Sequence, residues 1–130
     1  MWDLVYALGR VAVAPLFILS GFGKLTNIAG TAQAIAGKGL PYAQIFAVGS
    51  GLLELIAGIL IVLGLKTRWC ALLLAIFTAV ATYYFHNFWD LDGAARNAQQ
   101  IQALKNLAAL GALLMLAAAG PGRFAVDSRP

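Results

Sequence analysis

Charge is scarce in this sequence. Nine lysines and arginines and five acidic residues are all that 130 residues carry, against 62% hydrophobic residues. The mean hydropathy is +0.83. A soluble fold needs a solvated face on its surface helices, and the second and third apolar runs described below offer none. Cysteine is nearly missing as well. Cys70 stands alone, which excludes a dithiol mechanism within the chain and a cysteine-built metal site. Its place at the start of an apolar run suits a small buried hydrophobe. No zinc, haem-attachment, phosphate-loop or nucleophile-elbow motif occurs, so no metal site and no covalently bound cofactor are expected.

What the sequence has instead is four apolar runs. A hydrocarbon core about 30 Å thick takes roughly 20 apolar residues per helical span. The runs go from Leu4 to Gly23, from Tyr42 to Leu65, from Trp69 to Phe85 and from Ile101 to Ala119. They predict an all-α polytopic membrane protein, a four-helix bundle forming one domain over residues 1–130. The stretch from Thr26 to Gly39 is too polar and short to span. It predicts a short interfacial helix between the first two spans, stopped at Gly39, with Pro41 restarting the chain. Thr67 is placed to cap the third span, and His86 to Gln100 reads as the longest aqueous loop. The first run lacks a basic start, holds Arg10 and meets no small-residue cleavage site before Lys24, so it is expected to be a retained helix.

A net charge of +4 and a pI near 9.6 would suggest nucleic acid for a soluble protein. Here basic residues flank spans and meet lipid headgroups, so membrane lipid is the expected partner and nucleic acid is not. Lys66, Arg68, Arg123 and Arg129 fall on the side of the termini, and Lys24, Lys38 and Arg96 on the other. That bias predicts cytoplasmic termini.

Ionisable groups inside spans are functional-site hypotheses by default. Arg10, Ala14, Phe17, Gly21 and Lys24 share one face of the first helix. Glu54 is bracketed by Ser50 and Gly58, small neighbours that let a second backbone approach. Thr78, Thr82 and His86 form a stripe at four-residue steps, and Lys105 and Asn106 lie near the start of the fourth run. Counted from the run ends, Arg10 and Glu54 differ in depth by about one turn, which predicts a buried Arg10–Glu54 ion pair. Lys24, His86, Lys105 and Asn106 gather towards the opposite face, as a polar mouth. Most have a plainer reading: a helix lock for Arg10 and Glu54, snorkelling for Lys24, a helix cap for His86, and back-bonding to the helix for Thr78 and Thr82. Lys105 and Asn106, placed inside a span, need partners.

These residues resemble the DoxX family of four-helix bacterial membrane proteins over nearly the whole chain. The matching pieces are Gly9-Arg10, then Phe17-x-x-x-Gly21-x-x-Lys24, then Glu54-Leu-x-x-Gly58 running into Leu63-Gly64-Leu65-x-Thr67-Arg68. His86, Lys105-Asn106-Leu107 and Gly120-Pro121-Gly122-Arg123 followed by Asp127 continue the likeness. No single piece is specific; their order and spacing together are. The resemblance implies association with membrane oxidoreductase systems, among them a quinone-linked thiosulfate-oxidising enzyme and thiol-redox or superoxide-handling complexes. Many members have no assigned activity. By position, the family's polar motif falls on Arg10, Lys24, Glu54, His86, Lys105 and Asn106. The extra domain of larger relatives has no counterpart in this sequence, so thiosulfate chemistry is not carried over.

The expectation is a membrane subunit of a redox complex that binds quinone or relays protons. Lys24, His86, Lys105 and Asn106 would supply hydrogen bonds to a quinone, and His86 would relay a proton. Glu54 with Arg10 would hold the bundle and tune the field, Glu54 being also a ligand or proton-relay candidate. With no flavin, haem or iron–sulfur motif, electrons would come from a partner protein; a homo-oligomer is the other assembly considered. The alternative is a scaffold for a partner enzyme, with a small transporter built on Glu54 ranked last.

Overall fold

The computed structural model describes residues 1–127, so Arg129 and its place in the charge count lie outside the described residues. Five α-helices occur: α1 (Trp2–Thr26), α2 (Ile28–Gly37), α3 (Ala43–Leu63), α4 (Thr67–Phe85) and α5 (Gly93–Ala119). A 3₁₀ turn, Phe88–Asp90, joins the last two, and no strand occurs among the described residues. α1, α3, α4 and α5 are long and apolar enough to cross a membrane. At about 1.5 Å per residue, the 21 residues of α3 cover roughly 31 Å, one hydrocarbon thickness.

The predicted short helix is α2. Asn27 caps it, its Oδ1 accepting from the Gly30 N–H at 3.2 Å. Two boundaries differ from expectation. α5 begins at Gly93 rather than near Ile101, because Ala, Arg and Gln between them form helix in water as readily as in lipid. Thr67 does not cap α4: Lys66 holds that position in a left-handed conformation (φ 54°), and Thr67 is the first helical residue. The Lys66 N–H donates to Asp127 Oδ2 at 2.5 Å instead.

α1 packs along α3, and α4 along α5; contact between the two pairs is less extensive. The core lies in the half of the bundle nearest the termini. Ala14, Phe17, Ala57, Ile61, Ala71, Leu74, Leu113 and Leu116 form it, contributed by all four spans. The α1–α3 seam depends on glycine. A Cβ on Gly21 would sit 2.6 Å from both Gly51 O and Leu55 N, and one on Gly58 would sit 2.7 Å from Ile18 Cγ1. Such close backbone approach is how helices gain contact where lipid removes the hydrophobic driving force.

The chain after α5 folds back over the terminal end. Arg10, 5% exposed, holds it there. Its Nη1 donates to Pro121 O at 2.7 Å and Phe124 O at 2.9 Å, and its Nη2 to Val62 O at 3.1 Å. The Tyr6 hydroxyl donates to Gly120 O. Val126 N donates to Leu63 O and Asp127 N to Gly64 O. The Arg10 charge is thus met by carbonyl dipoles, one of them in the negative last turn of α3. Arg10→Ala leaves these carbonyls unpaired and frees the tail. We expect trypsin to cut after the exposed Arg123 several-fold faster in this variant, read by mass spectrometry; an unchanged rate would show that Arg10 does not hold the tail.

Candidate functional site

The expected Arg10–Glu54 pair does not form. The antiparallel seam sets Gly21 against Gly51 and Leu55, Gly58 against Ala14 and Ile18, and Arg10 against Val62. Glu54 is therefore level with the stretch from Ile18 to Phe22, roughly 12 Å along the axis from Arg10. Lys24 pairs with Glu54 instead, bonding to Oε1. Ser20 Oγ donates to the same oxygen at 3.1 Å. Glu54 is 3% exposed, and Oε2 has no protein partner among the described residues. Lys24 lies at the end of α1, where a lysine ordinarily snorkels outward to headgroups. Here it turns inward, with its ammonium 4.8 Å from the centroid of the Phe77 ring as well.

This pair lies in the wall of a cavity of about 1070 Å³ in the half of the bundle away from the core. Small-molecule sites usually measure about 300–1,000 Å³, so it is large enough for an amphiphile. The cavity exists because the two helix pairs are packed together around the terminal-side core and only loosely beyond it. α1 contributes Phe17, Ser20 and Lys24; α3 contributes Phe46, Leu53 and Glu54; α4 contributes Phe77, Thr78 and Tyr84. α2 closes one side through Thr31, Ala34 and Ile35.

The structure brings four of the predicted residues to this cavity: Lys24, Glu54, His86 and Asn106. His86 Nδ1 is 2.7 Å from Gln99 Oε1, at the end of α4 nearest the loop. Asn106 Nδ2 donates to Thr82 Oγ1 at 3.0 Å, and Thr82 Oγ1 donates to Thr78 O at 2.7 Å, the predicted back-bond. Lys105 is not brought in. It is exposed and does not line the cavity. Its helix neighbour Asn106 meets Thr82, one turn inside the end of α4, so the Lys105 stem is long enough to reach the interface.

Sequence reasoning missed Ser20, although its spacing of four from Lys24 put both on one face. It also assigned Thr78 the same back-bond as Thr82. Thr78 Oγ1 is instead buried without a partner among the described residues. Among the described residues no group of three His, Cys, Asp or Glu stands close enough to hold a metal ion.

Four membrane-spanning helices around a mostly apolar cavity with a few polar groups on its wall define a small polytopic membrane protein with a ligand-sized pocket between its spans. The chain belongs to the DoxX family, whose family model matches residues 5–87. It is 38% identical over 122 residues to the inner membrane protein YphA of Escherichia coli K12, covering 94% of this chain and 87% of that protein. It is 34% identical over 125 residues to the inner membrane protein YqjF of the same organism, covering 96% and 91%. The Surfeit locus protein 4 homolog of Schizosaccharomyces pombe is 27% identical over 95 residues, covering 72% of this chain and 30% of that protein. No solved structure matches. The bacterial relatives are inner membrane proteins, in keeping with the four apolar helices here.

Proposed function

We propose that this chain is the membrane subunit of a quinone-linked redox complex and holds the quinone head in the cavity beside Lys24 and Glu54. The observation that carries this reading is the cavity itself: a large space between spans, walled mostly by apolar side chains, with one ion pair on its surface, the buried Glu54 and the partly buried Lys24. The residues suit the group. A quinone needs apolar space and a few donors to its carbonyl oxygens. Lys24 has three N–H donors and bonds one carboxylate oxygen. Glu54 keeps Oε2 free of protein partners among the described residues, able to accept a proton.

A bound quinone supplies two-electron, two-proton chemistry. The chain positions the head through Lys24 and holds a proton at Glu54, whose Oε1 Ser20 and Lys24 fix in place. His86 stands at the cavity rim, where its imidazole can pass a proton between loop water and the cavity. Electrons come from a partner subunit. Lys66, Arg68 and Arg123 near the termini support cytoplasmic termini, the more so because Lys24 is engaged in an ion pair rather than with headgroups.

Purification in mild detergent at native expression level, with mass spectrometry of proteins and extracted lipids, tests the proposal. Quinone together with a flavin-, haem- or iron–sulfur-bearing partner is the expected result. A stable enzyme partner with no quinone would replace this reading with a scaffold role.

A further inference from the structure

Three buried side-chain polar atoms lack a hydrogen-bond partner among the described residues: Arg10 Nε, Thr67 Oγ1 and Thr78 Oγ1. Only Thr78 lines the cavity. It is 4% exposed, on the α4 wall, whereas Lys24 and Glu54 lie on the walls made by α1 and α3.

An unpaired buried hydroxyl destabilises the fold that keeps it, and valine would fill the same space without that penalty. Mid-helix threonines ordinarily avoid the cost by bonding back to the preceding turn. Thr82 does so, and its hydroxyl also accepts from Asn106. Thr78 does not: its carbonyl accepts from Thr82 while its own hydroxyl is buried with no partner among the described residues, on a residue that lines the cavity.

We infer that the Thr78 hydroxyl hydrogen-bonds to the head of the cavity's ligand, and that this head is a neutral, oxygen-bearing group. The inference rests on the reading of the cavity as a ligand site and names a contact and a selectivity within it. Lys24 and Glu54 neutralise one another; Ser20, Thr31, Thr78, Tyr84 and Asn106 on the wall are uncharged polar groups, and His86 stands at the rim, hydrogen-bonded to Gln99. A carboxylate or phosphate head would bring an uncompensated charge to this depth. A carbonyl or hydroxyl head meets the free hydroxyl without that cost.

The test measures binding of two neutral amphiphiles, a short-tailed benzoquinone and mono-olein, and one anionic amphiphile, oleate. Equilibrium dialysis against the purified full chain in detergent gives the affinities, and thermal unfolding is followed on the same samples. Thr78→Val is expected to weaken the neutral ligand roughly tenfold, the worth of one hydrogen bond, while its melting temperature stays level or rises. Thr78→Ser is expected to restore binding, and oleate to bind weakly throughout.

If only mono-olein binds and Thr78→Val weakens it, the Thr78 contact stands and the quinone reading falls. If quinone binding is lost on Glu54→Gln yet unchanged on Thr78→Val, the quinone reading stands and the Thr78 contact is overturned. Equal binding by wild type and Thr78→Val, tighter binding of oleate than of the neutral ligands, or a melting temperature that falls in step with affinity would each overturn the inference. Failure of all three ligands to bind wild type would overturn both readings.

Discussion

Gly21→Val is expected to break the bundle, costing about 3 kcal/mol or more of stability. The reason is local. An added Cβ would meet Gly51 O and Leu55 N at 2.6 Å, and both atoms are α3 backbone. Neither can rotate away as a side chain would. The helices must separate, and separation removes packing along the whole α1–α3 seam and displaces Lys24 from Glu54. Helix propensity alone predicts the opposite sign, since replacing a mid-helix glycine by alanine favours the helix by about 1 kcal/mol. Gly23 is the internal control. It lies two residues further along α1, and a methyl group added there would meet nothing within 4 Å. Gly23→Ala should be neutral or slightly stabilising, and Gly21→Ala destabilising. Thermal unfolding in detergent separates the two; equal melting temperatures would show that the seam is not closed at Gly21.

Lys24→Met is expected to cost about 3 kcal/mol, because it leaves the Glu54 carboxylate buried without its cation. The double variant Lys24→Met, Glu54→Gln should recover most of that loss. Breaking one partner of a buried pair strands a charge, whereas replacing both removes the desolvation cost along with the attraction. Chemical denaturation of the two single variants and the double closes the cycle. A double variant as unstable as the sum of the singles would mean that the two side chains do not interact. The cycle also separates structure from function: a folded double variant keeps the cavity's shape without its charges.

Much of this fold was legible because the four apolar runs are long and sparsely interrupted. Runs give helix count and approximate ends, but not register. Depth counted from run ends placed Arg10 and Glu54 about one turn apart, and that count assumed α1 to end at Gly23 and α3 to reach Leu65. In the structure α1 continues to Thr26 and α3 ends at Leu63. Register is set by Gly21, Gly51 and Gly58 meeting the opposite helix, and that choice of contacts brings Lys24 to Glu54. The small residues were visible; which faces which was not. α5 shows another limit. Its polar residues spread around several sides of the helix, so periodicity did not say that Asn106 faces the cavity and Lys105 does not. Thr78 and Thr82 are alike in sequence spacing, and only the positions of Asn106 and the cavity distinguish them.

The central claim is that the cavity beside Lys24 and Glu54 holds a quinone. The most direct measurement is the molar ratio of quinone to protein after gentle purification from native membranes. Wild type is compared with the Lys24→Met, Glu54→Gln double variant. Quinone is expected to approach one per chain in wild type and to be lost from a double variant that remains folded. Wild-type protein free of quinone, or a double variant carrying as much as wild type, would contradict the claim.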